Sequence, residues 1–452
     1  MPQSVPASHF CRGGGNFFVI LHRAIYAPAG GLWYSVAMFG FLKGRLFFVR
    51  LCLLGSVLAL VGVGVATIYA IGNPVDAVTA DGTTQLAGYW RKQLLFLAIA
   101  ILGFLAANSV SYRRLGEVSF WIYASVLLLL GLLLISRYVV ALPFVPARHG
   151  THRWFQFEVG GRDLPALQPS EICKIAYVLA LAWYLRYRSN YRRFSALIGP
   201  FALTLLPMIL ILAEPNLGTV LLMMPVFLTM LFIAGAKTKH LALIVLMALA
   251  VSPLLWVKMR PYQRARISSV LLQNSWLRQK AEQNPAVAGI LVGGRFSARQ
   301  WRNDWGYHLI RSKFAVASGG VMGYGYGRGP FVKYSFLPER HNDFIFSVIA
   351  HQWGLLGCLG LLGLYAVVVA CGLEIAANNT DPFGRLLAVG IVATFTVEVL
   401  VNVGMSLGLM PITGLTLPFV SYGGSSLLVS LTAVGLLNNV GRCRPFSVAP
   451  KR

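Results

Sequence analysis

About ten stretches of this chain are long, apolar and nearly free of charge, and nothing else in the sequence constrains the fold as strongly. They fall near 50–71, 92–110, 118–136, 169–186, 195–213, 217–235, 240–257, 342–372, 386–408 and 424–441. A hydrocarbon core of ~30 Å is crossed by about 20 apolar residues in helical form. None of the stretches alternates with the period of two that marks a barrel strand, so each is expected to be a helix that satisfies its own backbone in lipid. The alternative is a large soluble protein with buried helices. It is disfavoured because only 12% of the residues are charged, against roughly 25% in soluble proteins, and because the runs recur along nearly the whole chain. The expected fold class is therefore an all-α polytopic membrane protein of about ten transmembrane helices, with a large extracytoplasmic loop at 258–341 between spans seven and eight. The stretch at 342–372 is long enough to tilt or to begin before the membrane.

Lys and Arg in the short loops set the orientation. Arg50 with Lys43 and Arg45, Arg113 with Arg114, the group Arg186, Arg188, Arg192 and Arg193, the pair Lys237 and Lys239, and finally Arg442, Arg444, Lys451 and Arg452 all fall on one side of a ten-span chain. That side is expected to be cytoplasmic and to hold both termini. The domain organisation expected is an N-terminal extension at 1–48, a membrane domain at 49–442 and a cytoplasmic tail at 443–452. The apolar pieces before residue 48 are short and broken by Gly, Pro and Arg, so they do not read as a cleavable signal; an interfacial segment or a translation start at Met38 are the two readings.

The net charge of +25 invites a nucleic-acid partner. No nucleic acid is expected, because much of the charge borders the spans, where it sets topology and meets anionic membrane lipid. The charge of the outer loop is different, since it would draw an anionic substrate. The six cysteines show neither CxxC nor metal-ligand spacing and read as small apolar side chains.

Five segments carry polar groups where an apolar chain would not place them. In "QPSEICK", Pro169 suits the first turn of a helix, and Glu171 and Lys174 stand three apart on one face. Either they form a structural ion pair near the interface or they bind substrate. "AEPNLG" places Glu214, Pro215 and Asn216 in a turn between two spans. In "RNDWGYHLIRSKFAVASGGVMGYGYGRG", Asp304 is flanked by Arg299, Arg302, Arg311 and Lys313. A carboxylate among cations suits a general base or a cation ligand. The glycines at 319, 320, 323, 325, 327 and 329 form either a flexible loop or a cradle of backbone N–H groups for a pyrophosphate. In "FLPERHNDFIF", Asp343 is expected in the first turn of a span, where the helix dipole favours it; capping does not account for Glu339, Arg340 and His341 beside it. In "GLMPITGLTLPFVSYGGSS", two prolines and four glycines interrupt an apolar context and imply irregular backbone lining a cavity.

Taken together, these segments resemble the SEDS family (shape, elongation, division and sporulation; RodA, FtsW and SpoVE types) over roughly residues 50–442. "RW…QPSEICK", "EPNLGT", "SGGVMGYGYGRG", "FLPERHNDFIF" and "MPITGLTLPFVSYGGSS" stand in the order of that family's motifs, and "PITG" and "LPERH" lean toward the elongation branch. The resemblance implies a ten-span peptidoglycan glycosyltransferase of the bacterial cytoplasmic (inner) membrane. Such an enzyme polymerises lipid II on the outer face and elongates an undecaprenyl-pyrophosphate-linked glycan. It implies as partner a class B penicillin-binding protein, which crosslinks the strands. It also implies a catalytic Asp shortly before a Gly-Tyr-Gln/His, for which "DWGYH" offers Asp304. Four departures stand out. The spacing to Asp304 is shortened, and an ungapped alignment puts Trp301 at that position. "QPDLG" reads "EPNLG", "EELG" reads "HQWG" at 351–354, and 274–300 looks inserted.

On this reading Asp304 is the candidate general base, and substrate contacts are expected from Arg153, Trp154, Glu171, Lys174, Arg311, Lys313, Glu339, Arg340, His341, Asp343, Ser421 and Tyr422. The cations among them would meet the pyrophosphate. The sequence identifies no cofactor; a divalent cation, Mg2+ or Mn2+, held in part by Asp304 stays open, because a lone hard-cation carboxylate has no sequence signature. A flippase for lipid-linked precursors and a catalytically inactive scaffold of a cell-wall complex are the rival readings. The polar motifs cluster on the outer side, which favours surface chemistry, and no internal repeat of the transporter kind is evident.

Overall fold

The computed structural model describes residues 46–74, 88–140, 142–146, 152–156, 158–159, 162–163, 166–187, 194–304, 306–334 and 336–442. The expectations for Met38, for most of the N-terminal extension, for the C-terminal tail and for Lys43, Arg45, Arg188, Arg192, Arg193, Arg444, Lys451 and Arg452 lie outside these residues.

Each predicted span is a helix. They are α1 (Phe47–Gly72), α2 (Tyr89–Ser109), a short α3 (Tyr112–Glu117), α4 (Ser119–Tyr138), α5 (Pro169–Leu185), α6 (Ile198–Ala213), α7 (Leu217–Ile233) and α8 (Thr238–Lys258). The long loop at 258–341 adds six short helices: α9 (Pro261–Leu271), α10 (Ser275–Gln283), α11 (Pro285–Val292), α12 (Ala298–Asn303), α13 (Tyr307–Gly319) and α14 (Pro330–Lys333). The bundle closes with α15 (Ile345–Ala377), α16 (Pro382–Leu407) and α17 (Gly424–Arg442). A two-residue antiparallel pair, β1 (Glu158–Val159) and β2 (Arg162–Asp163), sits in the third loop.

Among the described residues seven helices, α1, α2, α4, α8, α15, α16 and α17, are long and apolar enough to cross a membrane. The helices α5, α6 and α7 have 17, 16 and 17 residues. At 1.5 Å per residue such a helix is only about 24–26 Å long, just short of a hydrocarbon core. The protein is a polytopic helical membrane protein.

Helices α16 and α17 form the centre, with 72% of the apolar stretch of each buried by protein. α8 is peripheral, with 6% buried. Local chemistry fixes the helix ends. Pro169 opens α5, Asp381 caps α16 by accepting from Phe383 N (3.2 Å), and Gly408 ends α16 with φ 81°. At the end predicted to be cytoplasmic, the buried Arg50 donates to Asn438 Oδ1 (2.8 Å), whose amide reaches Asn108 Oδ1 (2.6 Å), so α1, α2 and α17 are pinned together. At the other end, Ser312 Oγ bonds Ser347 Oγ (2.7 Å) and Ser406 O (2.8 Å), which seats α13 on α15 and α16.

Candidate active site

An ion triad lies between α5 and α16. Lys174 Nζ is 2.6 Å from Glu171 Oε2 and 2.6 Å from Glu398 Oε1, and all three side chains are nearly buried. The expected Glu171–Lys174 pair is formed. Glu398 was not anticipated, although an acid in the middle of "TVEVL" is the signal that a span-embedded ionisable group always gives. A small cavity opens beside Lys174 and Glu398, walled by Phe395, Thr394 and Ser430.

One turn above, two arginines grip the 213–216 turn. Arg137 donates to Ala213 O (2.8 Å), and Arg153 donates to Glu214 O (2.9 Å) and Pro215 O (2.5 Å). Arg153 thus holds main-chain carbonyls, with Trp154 beside it half-buried. The Glu214 carboxylate is 1% exposed, and neither of its oxygens finds a hydrogen-bond partner among the described residues. Burial pushes its pKa up to about 8, against the pull of Arg153 and Arg137. Asn216, where the family motif has an acid, donates to Ser170 Oγ (3.1 Å) at the head of α5.

The fold of the 258–341 loop separates Trp301 from Asp304. Trp301 is buried in a small core with Leu272, Ala281, Ala288, Val292 and Phe296. Asp304 follows α12 and is exposed. Of the two alignments, the one that brings Asp304 to the motif therefore places a carboxylate in reach of water. His308, half-buried and stacked on Phe344 (6.1 Å, 10°), senses Asp304, Glu339 and Arg266. Burial, helped by Arg266, keeps its imidazole pKa low. Arg311 lies over Tyr307 (5.2 Å) and Phe336 (5.6 Å), and Lys313 donates to Gln273 Oε1 (2.8 Å).

The glycine-rich run is not an open cradle. Tyr324 N and Gly325 N donate to His351 O (3.1 Å) and Gln352 O (2.9 Å), and Gly327 N donates to Gln352 Oε1 (2.9 Å). In return Leu355 N and Leu356 N donate to Gly320 O (2.9 Å) and Val321 O (3.2 Å). The run straps itself to α15 where Gly354 (φ 61°) breaks that helix, and it satisfies the backbone groups the break frees. A Cβ on Gly323 would lie 2.2 Å from Gln352 O.

The stretch 336–346 also departs from expectation. The helix begins at Ile345, so Asp343 lies in the preceding turn and not in the first turn of the span. Burial and the nearby Glu339 raise the pKa of its carboxyl to about 6, while Arg266 opposes them. Arg340 is 2% exposed, and its guanidinium donates to the carbonyls of Phe331 (3.3 Å), Val332 (3.0 Å) and Tyr334 (2.8 Å). This corrects its assignment as a headgroup contact: it closes α14 from the inside. Glu339 is exposed and accepts from Asn342 Nδ2 (2.8 Å).

Ser421 bridges Asn342 O (2.7 Å) and Leu417 N (2.8 Å) and is buried, so it ties the 408–426 segment to this turn. His341 and Tyr422 pack edge-on with Tyr89, at 5.0 and 4.8 Å. The segments "FLPERHNDFIF" and "SYGGSS" thus form one wall. Arg266 on α9 went unremarked in the sequence. It is exposed, and it is close enough to Asp343, His308 and Arg153 to perturb each of them. The site as a whole offers an exposed carboxylate, a low-pKa imidazole and a cation near one another. No group of three or more His, Cys, Asp or Glu able to hold a metal occurs among the described residues.

Comparison with known proteins places the chain in a family. A family profile for FtsW, RodA and SpoVE, described as cell cycle proteins, matches residues 50–444. The chain is 32% identical over 436 residues to the peptidoglycan glycosyltransferase RodA of Treponema pallidum (strain Nichols), covering 86% of this chain and 96% of that one. It is 34% identical over 360 residues to a probable peptidoglycan glycosyltransferase FtsW of Geobacter metallireducens (78% and 84% covered). A chain from a structure describing coordination of polymerization and crosslinking by a peptidoglycan synthase complex superposes with TM-score 0.64 at 30% identity, covering 86% of this chain and 96% of that one.

Proposed function

We propose that this chain, which belongs to the FtsW/RodA/SpoVE family of cell cycle proteins, is a peptidoglycan glycosyltransferase that polymerises lipid II at the outer face of the cytoplasmic membrane. The observation that carries the reading is the placement of Asp304. It is an exposed carboxylate of the outer loop, close enough to His308 to perturb that imidazole.

The acceptor is the sugar 4-hydroxyl of an incoming lipid II, and the donor is the anomeric carbon of the growing strand. The hydroxyl oxygen bonds to that carbon, its proton passes to the Asp304 carboxylate, and the bond to undecaprenyl pyrophosphate breaks with the electron pair going to the leaving phosphate. Cations stabilise the charge gathering there. Arg266 and Arg302 are exposed on this face, with Arg311 held on its aromatic rings beside them. Asp304 would hold a divalent cation, Mg2+ or Mn2+, if one binds, and the ion would supply charge stabilisation to the leaving group; no step above depends on it. Both termini are cytoplasmic in this reading. A class B penicillin-binding protein is the partner that would crosslink the product, and elongation is the cellular role favoured by "PITG" and "LPERH".

Purified wild type and Asp304→Ala, each incubated with labelled lipid II and divalent cations, test the reading on a glycan gel. Strands from wild type and none from the variant are expected. Strands from both remove Asp304 as base. No strands from either, with the penicillin-binding partner present, remove the activity.

A further inference from the structure

The stretch 274–300, which the sequence suggests is an insertion, folds into a helical hairpin of its own. Helices α10 and α11 close over the Trp301 core described above. Their ends are capped locally: Asn274 accepts from Trp276 N (2.9 Å), and Asn284 accepts from Ala286 N (2.9 Å). The surface this core leaves outside includes large apolar side chains. Trp276 and Ile290 are each 64% exposed and Leu271 is 51% exposed.

One hydrogen bond fixes the depth of the hairpin. Trp256, in the last turn of α8, donates its indole N–H to Ile290 O at 2.8 Å. α8 has the smallest protein-covered share of the seven spans, and Val257 beside Trp256 is 66% exposed, so this turn faces lipid. Ile290 accordingly sits at the level where a span leaves the hydrocarbon. From 258 to 304 the chain carries nine Lys and Arg against two Asp and Glu. Lys258, Arg260 and Lys280 are exposed, and Lys280 Nζ lies over the Trp276 ring at 4.8 Å. Exposed Trp and aliphatic residues edged by cations suit a helix lying in the interface of an anionic bilayer.

We infer that the α10–α11 hairpin is an interfacial anchor that sets Trp276, Ile290 and Leu271 into the leaflet where α8 ends and rests its cations on anionic phospholipid headgroups. A protein partner is the other occupant such a patch could take. The excess of cations and the bond to a lipid-facing span favour lipid. Because α12 and Asp304 follow the hairpin directly, the anchor holds that carboxylate at a set height above the membrane. The inference requires α8 to cross the membrane and nothing of the activity proposed above.

The test uses the full-length protein with its natural cysteines replaced. An environment-sensitive dye is placed at Trp276→Cys, Ile290→Cys or, as control, Arg299→Cys. The protein is held in nanodiscs of phosphatidylcholine alone or mixed with phosphatidylglycerol. Dyes at 276 and 290 are expected to be quenched by lipids carrying a shallow nitroxide and shielded from iodide, and the dye at 299 to be open to iodide. In phosphatidylglycerol, Lys258→Gln with Lys280→Gln should lower the ratio of shielded to open hairpin by roughly fivefold per cation removed, with no change in phosphatidylcholine. Equal iodide access at 276, 290 and 299 in both lipids would overturn the anchor. Shielding indifferent to phosphatidylglycerol and to the double variant would overturn the headgroup contact. Release of the dye by inorganic pyrophosphate would assign the cations to free phosphate, and shielding that appears only with added protein would assign the patch to a partner.

Discussion

Lys174→Met is the substitution that most directly probes how this membrane domain holds its polar interior. The ammonium is the shared partner of two carboxylates, each 2.6 Å away, and its side chain is 3% exposed. Removing it leaves Glu171 and Glu398 facing each other with no cation between them. Breaking a buried ion pair from one side costs about 3–5 kcal/mol. Glu398→Gln should be far milder. It leaves the Glu171–Lys174 pair intact and gives the ammonium an amide oxygen, so the loss is that of one charge-assisted bond, no more than about 1.5 kcal/mol. Combining Lys174→Met with Glu171→Gln and Glu398→Gln should recover much of the loss, because the buried charges leave together. Unfolding of the purified protein titrated with SDS in mixed micelles gives the three free energies. A Lys174→Met variant as stable as wild type, or a triple variant no better than the single one, would refute the reasoning.

Arg340→Ala should cost about 2–4 kcal/mol in the same titration, from the three carbonyls it leaves unpaired, whereas Lys280→Ala should stay within about 0.5 kcal/mol. Gly323→Ala forces a Cβ to 2.2 Å from Gln352 O at φ 77°, so it should free the strap and expose the 319–329 run to limited proteolysis. An unchanged digestion pattern would count against the strap. Glu214 has a folded pKa raised to about 8, above its unfolded value. Its contribution to stability is therefore fully present below about pH 4.3 and is lost as pH rises through 8. Glu214→Gln should flatten that dependence and gain on the order of 2–4 kcal/mol at pH 9 relative to wild type. Parallel pH profiles for the two proteins would dismiss it.

The span positions were readable because lipid leaves the backbone no other choice, and each apolar run became a helix within a few residues. The Glu171–Lys174 pair was readable for the same reason, since its spacing is local. Glu398, 224 residues from Lys174, could be flagged as an odd acid but not paired, because only the packing of α16 on α5 brings it there. The glycine run misled for a physical reason. Glycine permits close backbone approach to a phosphate or to another chain segment equally well, and the segment was the kinked α15. Arg340 misled similarly. A guanidinium in a loop suits an anion, but three carbonyls turned inward at α14 are an equally good acceptor set and lie closer in sequence. Arg266 escaped notice because "RARIS" is unremarkable until α9 is placed against Asp343 and His308.

These placements bear on how the site can hold a doubly charged leaving group. The sequence suggests a loop flooded with cations, but the fold engages many of them elsewhere. Arg137 and Arg153 clamp one turn, Arg340 clamps another, Arg264 donates to Val257 O, and Lys313 is tied to Gln273. A cation already bonded to a carbonyl gives less to a pyrophosphate than a solvated one, because binding must first break or share that bond. Arg266 is close enough to Asp343, His308 and Arg153 to perturb each of them and is exposed, so in the proposed mechanism it is a cation free to meet the leaving group, as is Arg302. It follows that the +25 net charge overstates the electrostatic strength of the site. The engaged cations named here shape the walls, and exposed guanidiniums such as Arg266 and Arg302 are the ones left to meet a leaving group.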